Sequence, residues 1–117
     1  MGIPSPQLQN LKAEFFRALA HPIRIRLLEV LVTRGETSVQ DLQRALGLDQ
    51  PIVSQQLARL RASGIVAAKR QGSATRYVLT DPQLKTLLQV AKQILNRRLV
   101  GVRSLLRELE HDTAARA

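Results

Sequence analysis

The stretch SVQDLQRALGLDQPIVSQQLARLRASG, from Ser38 to Gly64, decides how this chain folds. Val39, Leu42, Ala45 and Leu46 recur at helical spacing behind Ser38, whose side-chain oxygen suits it to accept an unpaired N–H of a helix's first turn. Gly47 supplies a left-handed C-cap. Asp49 or Gln50 then caps a second helix, with Pro51 in the first turn, where its missing N–H is harmless. Val53, Leu57 and Leu60 line that helix's buried face, and Gly64 closes it. Two helices of about nine and thirteen residues, joined by a short turn containing glycine, make a helix-turn-helix.

Upstream, Ser5-Pro6 opens a helix carrying Leu8, Leu11, Phe15, Ala18 and Leu19, with the adjacent Phe15 and Phe16 expected in the core. His21-Pro22 interrupts it and starts another, because proline disfavours the helical region for the residue before it. Ile23, Leu27, Leu28, Leu31 and Val32 form the apolar stripe of this second helix, with Arg24, Arg26 and Glu29 beside it and Thr33-Arg34-Gly35 at its end. Downstream of Gly64 the period becomes extended. Residues 65–70 and 75–79 flank Gln71-Gly72-Ser73-Ala74, a small β-hairpin with a polar, basic tip.

Asp81-Pro82 begins a last helix whose stripe runs from Leu84 through Leu95 and Val102 to Leu109. At about 1.5 Å per residue, the span from Pro82 to Leu109 measures about 42 Å. A compact chain of this size has a radius of gyration of only about 13 Å. The stripe therefore needs a partner, and a second copy of the chain supplies one; the alternative is a helix broken near Gly101 and folded back. His111-Asp112 falls in a polar tail expected to fray.

Charge narrows the function. Lys plus Arg number 18 against 9 Asp plus Glu, a formal +9, in a chain hydrophobic enough (44%) to fold. Such an excess points to a polyanion. It is also concentrated. Residues 50–80 contain Arg59, Arg61, Lys69, Arg70 and Arg76 and no acid, and residues 81–107 add six basic side chains against Asp81 alone. The only aromatics are Phe15, Phe16 and Tyr77, too few for the stacking platforms of single-strand binders, which favours duplex DNA. With no cysteine, disulfides, thiolate metal sites and thiol switches are excluded within the chain. No nucleophile–base–orienter set is present, so no enzyme is expected.

The opening Met1 to Asn10 lacks the charged and apolar regions of a secretory signal, and Pro6 stands where a myristoylation signal needs Ser or Thr. No apolar stretch approaches the roughly 20 residues that span a bilayer. A cytoplasmic protein without membrane association is the expectation.

A helix-turn-helix followed by a basic hairpin is a winged helix arrangement. Five blocks in order sharpen it: Leu19-Ala20-His21-Pro22-Ile23-Arg24-Ile25-Arg26-Leu27-Leu28, Ser38-Val39-Gln40-Asp41-Leu42, Val53-Ser54-Gln55-Gln56-Leu57-Ala58-Arg59-Leu60, Gly64-Ile65-Val66, and Arg70-Gln71-Gly72 with Tyr77-Val78-Leu79. Over roughly residues 10–100 the chain thereby resembles the ArsR/SmtB-type bacterial repressors. The resemblance implies a homodimer built from the first and last helices, with the fourth helix of each copy in the DNA major groove. The expected fold class is mainly α with a small β-hairpin (α+β). It is a winged helix-turn-helix domain over 1–117, with dimerisation helices at 6–20 and 82–110, the helix-turn-helix at 38–63 and the wing at 65–79.

The side chains agree with that role. On the fourth helix Gln50, Ser54, Gln55 and Arg59 fall on or near the outward face; Gln pairs with adenine and Arg with guanine through two hydrogen bonds each. Lys69, Arg70, Ser73, Thr75 and Arg76 sit on the wing, suited to phosphates or the adjacent minor groove, and Tyr77 is expected to pack beneath it. Members of the family that sense metal use a Cys-Val-Cys on the third helix or Asp and His pairs on the last. Here Ser38 and Gln40 hold the former positions and residues 81–107 contain no His, so neither switch is expected and no cofactor is assigned. A small-molecule effector, a protein partner and no ligand at all stay open. The function read from sequence is a homodimeric regulator, a repressor in the first instance, of a pseudo-palindromic operator; the alternative is a nonspecific architectural DNA-binding protein.

Overall fold

The computed structural model describes residues 5–116, with side chains as far as Asp112. Met1–Pro4, where the expectations about a signal and acylation begin, and Ala117 lie outside the described residues. The order is α1 (Pro6–Leu19), α2 (Pro22–Arg34), β1 (Thr37–Ser38), α3 (Val39–Leu46), α4 (Gln50–Ala62), β2 (Val66–Gln71), β3 (Ala74–Leu79) and α5 (Gln83–Arg116). The chain divides into two compact units, one through Leu84 and one from Lys85 onward.

Local chemistry sets the element ends. The Ser5 hydroxyl accepts from the Leu8 N–H, the His21 Nδ1 from the Ile23 N–H at 3.1 Å, and the Ser38 hydroxyl from the Asp41 N–H at 3.2 Å. Asp49 holds the N-cap position of α4 but makes no capping side-chain bond; its carbonyl accepts from Ile52 and Val53 instead. Gly47, at φ 67° and ψ 33°, ends α3 in the left-handed conformation, which costs a residue bearing a Cβ about 1–2 kcal/mol. Ser38→Ala is expected to cost about 1 kcal/mol by removing the α3 cap, read as a lowered melting temperature with unchanged helix content.

The first unit's core lies where α2, α3, α4 and the sheet meet. Leu27 and Leu28 from α2, Leu42 from α3, and Val53, Leu57 and Leu60 from α4 have no exposed surface, and Ile65 and Val66 close the bottom. The hairpin is one residue longer at the tip than the sequence pattern gives, with Gln71 pairing Ala74 across Gly72-Ser73. A third strand joins it: β1 pairs antiparallel with β3, matching Thr37 to Tyr77 and Ser38 to Arg76, so the sheet order is β1-β3-β2.

Two sequence expectations change here. Phe15 (38% exposed) and Phe16 (56% exposed) are not in the core; they meet edge-to-face on the surface of α1, because only Ala18 and Leu19 of that helix are buried. The last helix is unbroken at Gly101 and continues through His111-Asp112 to Arg116, so that pair is helical rather than a frayed tail. Asp81 does cap it, its carboxylate accepting from the Gln83 N–H at 2.8 Å. Among the described residues no helix is long and apolar enough to cross a membrane.

Candidate nucleic-acid interface

The site grows from α4. Its buried edge is Val53, Leu57 and Leu60, spaced four and three apart as a helix of 3.6 residues per turn requires. That spacing turns Gln50, Ser54, Gln55 and Arg59 outward, and all four are exposed. They do not form one row. Ser54 and Arg61 lie seven residues apart, nearly two turns, and share an edge of the helix. Arg59 faces another way: with Ala62 and Ser63 it lines a groove of about 520 Å³ whose opposite wall is Leu11, Glu14, Phe15 and Arg17 of α1. Arg61, read from sequence only as part of the basic cluster, is exposed on the Ser54 edge, as its i, i+7 relation to Ser54 requires.

Gln56, between the outward residues and the core, is half-buried and held: its Oε1 accepts from Arg24 Nη1 at 3.0 Å. The same guanidinium donates through Nε to the Ala18 carbonyl at 2.7 Å and through Nη2 to the Arg17 carbonyl at 3.2 Å. Arg26 makes a comparable bond to the Leu46 carbonyl at the end of α3, at 2.9 Å. Helix ends leave carbonyls without intrahelical partners, and an arginine near such an end satisfies both hydrogen bonding and the helix dipole.

On the wing, Lys69, Arg70 and Ser73 are exposed, whereas Thr75 and Arg76 are half-buried. Successive strand residues point to opposite faces, so Lys69 and Arg70 address different sides of the hairpin. Lys69 stands directly opposite Arg76 in the β2–β3 register, and like charges so placed repel. Arg76 turns away: Nη2 donates to the Glu36 carbonyl at 3.1 Å, and Nε lies 3.9 Å from the Glu36 carboxylate. Its charge thus ties β3 to the start of β1 rather than standing free at the tip. Tyr77 is half-buried between Ala68 and Thr37 in the sheet.

Among the described residues no three His, Cys, Asp or Glu side chains gather in a way that would hold a metal ion. Ser38 is occupied as the cap of α3, and His21 as the cap of α2.

Residues 21–68, which contain this helix-turn-helix, match the model of the bacterial regulatory protein, arsR family. Over 105 residues the chain is 45% identical to an uncharacterized HTH-type transcriptional regulator of Mycobacterium tuberculosis, Rv0081, covering 90% of this chain and 92% of that one. The chain belongs to the arsR family. This ArsR-family protein is accordingly a DNA-binding transcription regulator with a winged helix-turn-helix fold, and not an enzyme. The crystal structure of Rv0081 superposes with a TM-score of 0.75 at 47% identity, covering 84% of this chain and 97% of that chain. The solution structure of the homodimeric winged helix-turn-helix DNA-binding domain of Mb0332 from Mycobacterium bovis superposes at 0.72 with 25% identity, over 85% of this chain and 94% of that one. A probable mercury resistance operon repressor of Streptomyces lividans is 40% identical over 80 residues, 68% of this chain and 63% of its own.

Proposed function

We propose that this ArsR-family protein is a cytoplasmic homodimer that represses transcription by reading a pseudo-palindromic operator. In this reading α4 enters the major groove and the 69–76 wing lies on the backbone or in the adjacent minor groove. The observation that carries it is the two-sidedness of α4: Val53, Leu57 and Leu60 wholly buried, Gln50, Ser54, Gln55, Arg59 and Arg61 exposed. Polar side chains on a rigidly seated helix can pair with base edges, and the acid-free charge of residues 50–80 draws in phosphates. Lys69, Arg70 and Ser73 are assigned to the backbone. Thr75 and Arg76 stand half-buried across the hairpin from Arg70 and Lys69, and Arg76 braces the wing against Glu36.

Dimerisation is supported by apolar surface that each unit leaves uncovered. Leu8, Leu11 and Phe16 on α1 are 43–63% exposed, as are Leu95, Leu99, Val102, Leu106 and Leu109 on α5, at 51–63%. Contiguous apolar stripes of this kind mark interaction surfaces. The homodimeric Mycobacterium bovis domain and the Streptomyces repressor point to the same assembly and the same sign of regulation.

Selection of duplexes from a random library, followed by footprinting, tests the reading. Two-fold symmetry requires half-sites about 10 bp apart, or a multiple; one unrepeated half-site counts against it. Equal affinity for selected and random duplex in moderate salt would instead support the architectural alternative. Arg59→Ala is expected to weaken the selected duplex about 10- to 100-fold while hardly touching random DNA. Arg70→Ala should weaken both alike and make the salt dependence shallower, by about 0.9 in slope for each phosphate no longer neutralised. Equal effects from the two variants would undo this division of labour.

A further inference from the structure

The bond between Arg24 and Gln56 reaches across the fold. The carbonyls it joins belong to the last turn of α1, its charge sits on α2, and its third acceptor is on α4, one residue from Gln55 and two from Ser54. We propose that Arg24 is a positioning residue for DNA reading: its guanidinium is a strut that sets the rotation of α4 against the end of α1 through Gln56. The inference rests on α4 being the reading helix, as proposed above.

Three observations carry it. First, a guanidinium presents its donors in a rigid plane, so bonds of 2.7, 3.2 and 3.0 Å to two α1 carbonyls and the Gln56 oxygen fix the relative place of the acceptors. A lysine has one flexible point charge and cannot do this. Second, α1 and α4 are not locked by apolar packing along their length: the groove of about 520 Å³ separates Leu11, Glu14 and Phe15 from Arg59, Ala62 and Ser63. Third, Val53, Leu57 and Leu60 seat α4 against α2 and α3 by apolar contact, and the half-buried Gln56 beside them adds a directed bond that apolar packing does not supply. Recognition needs side chains held to within about 0.5 Å by supporting bonds. A turn of α4 would carry Ser54 and Gln55 out of register with the bases while leaving the charge field of the protein unchanged.

The test separates positioning from direct contact and from folding. The readout is the ratio of affinities for a duplex selected by the wild-type protein and for random duplex, measured on one preparation, so an unfolded fraction cancels. Q56M keeps the volume but loses the acceptor; Q56E keeps an acceptor for Arg24 but puts a negative charge beside the DNA. Q56M and R24M both break the charge-assisted bond between α2 and α4, and each is expected to lower the ratio about tenfold. The double variant R24M/Q56M should fall no further than either alone, and Q56E should retain the ratio. Multiplying effects in the double variant, or a larger fall for Q56E than for Q56M, would overturn the strut, the latter by making Gln56 itself a DNA contact. A wild type that prefers no duplex removes the operator reading and this inference together. A discriminating wild type equalled by Q56M removes the inference alone.

Discussion

Leu99→Asp combined with Leu106→Asp should turn the protein into a monomer and reduce its affinity for a selected operator duplex by about 100-fold or more. The two leucines are seven residues apart on α5, hence on one stripe, and are each 52% exposed in the single chain. Burying them against a second copy stabilises the pair by about 25 cal/mol per Å² of apolar surface, whereas a carboxylate in the seam must be desolvated or left unpaired. Loss of pairing costs operator affinity steeply because two linked reading heads bind with an effective concentration far above that in solution, an advantage of about 10²–10⁴. The core residues through Leu60 and Val66 are untouched, so the winged unit should keep its helix content and its residual attraction to random DNA. Sedimentation and titration against the two duplexes check both parts. A double variant that stays dimeric at micromolar concentration would show that α5 is not the seam.

Leu57→Ala carries the largest expected effect on stability, about 2–5 kcal/mol. Leu57 has no exposed surface and lies mid-way along α4, between Val53 and Leu60, on the face packed against α2 and α3. Truncation removes apolar packing and leaves a cavity that neighbouring helices fill only in part. For a domain of this size each kcal/mol lowers the melting temperature by about 4–8 °C, so a fall of about 8 °C at the least is expected by circular dichroism. Ala58, the next residue, is exposed on the same helix, and Ala58→Ser should shift melting by no more than about 0.5 kcal/mol. Similar effects from both substitutions would mean that α4 is not seated as described. The cavity variant should also lose operator preference before it loses attraction to random DNA, because attraction depends on net charge and preference on register.

The legible part of the site followed from spacing. Gln50, Ser54, Gln55 and Arg59 could be placed outward because Val53, Leu57 and Leu60 had to face in, and the structure keeps that division. The roles of the arginines were less legible. Arg76 reads as one more free charge on the wing, yet it bonds Glu36, forty residues earlier in the chain. Gln56 reads as one of several polar residues on α4, yet Arg24, thirty-two residues away, holds it. A guanidinium on a flexible stem takes whichever acceptors folding brings near, and no periodicity encodes that choice. Phe15 and Phe16 mislead for the opposite reason: apolar spacing reports that a face will be covered, and not whether the cover comes from the same chain.

What the sequence by itself determined is the set of helices, the ends of α1 to α4 and the wing, whereas α5 runs on to Arg116 past the expected fraying at His111-Asp112. Each depends on neighbours within a turn or two: Ser38 on the Asp41 N–H, Gly47 on its own backbone freedom, Pro22 on the residue before it, and Gly72 on a hairpin whose strands alternate beside it. Only the tertiary structure decided the third strand, the bracing of the wing by Arg76, the tie from α1 through Arg24 to α4, and the exposure of the α1 rings. Thr37-Ser38 is too short to announce itself as a strand and exists because β3 offers its edge at Tyr77 and Arg76. Local hydrogen bonds and steric limits act along the chain and can be read there. Pairing across tens of residues depends on where the core has already brought the backbone.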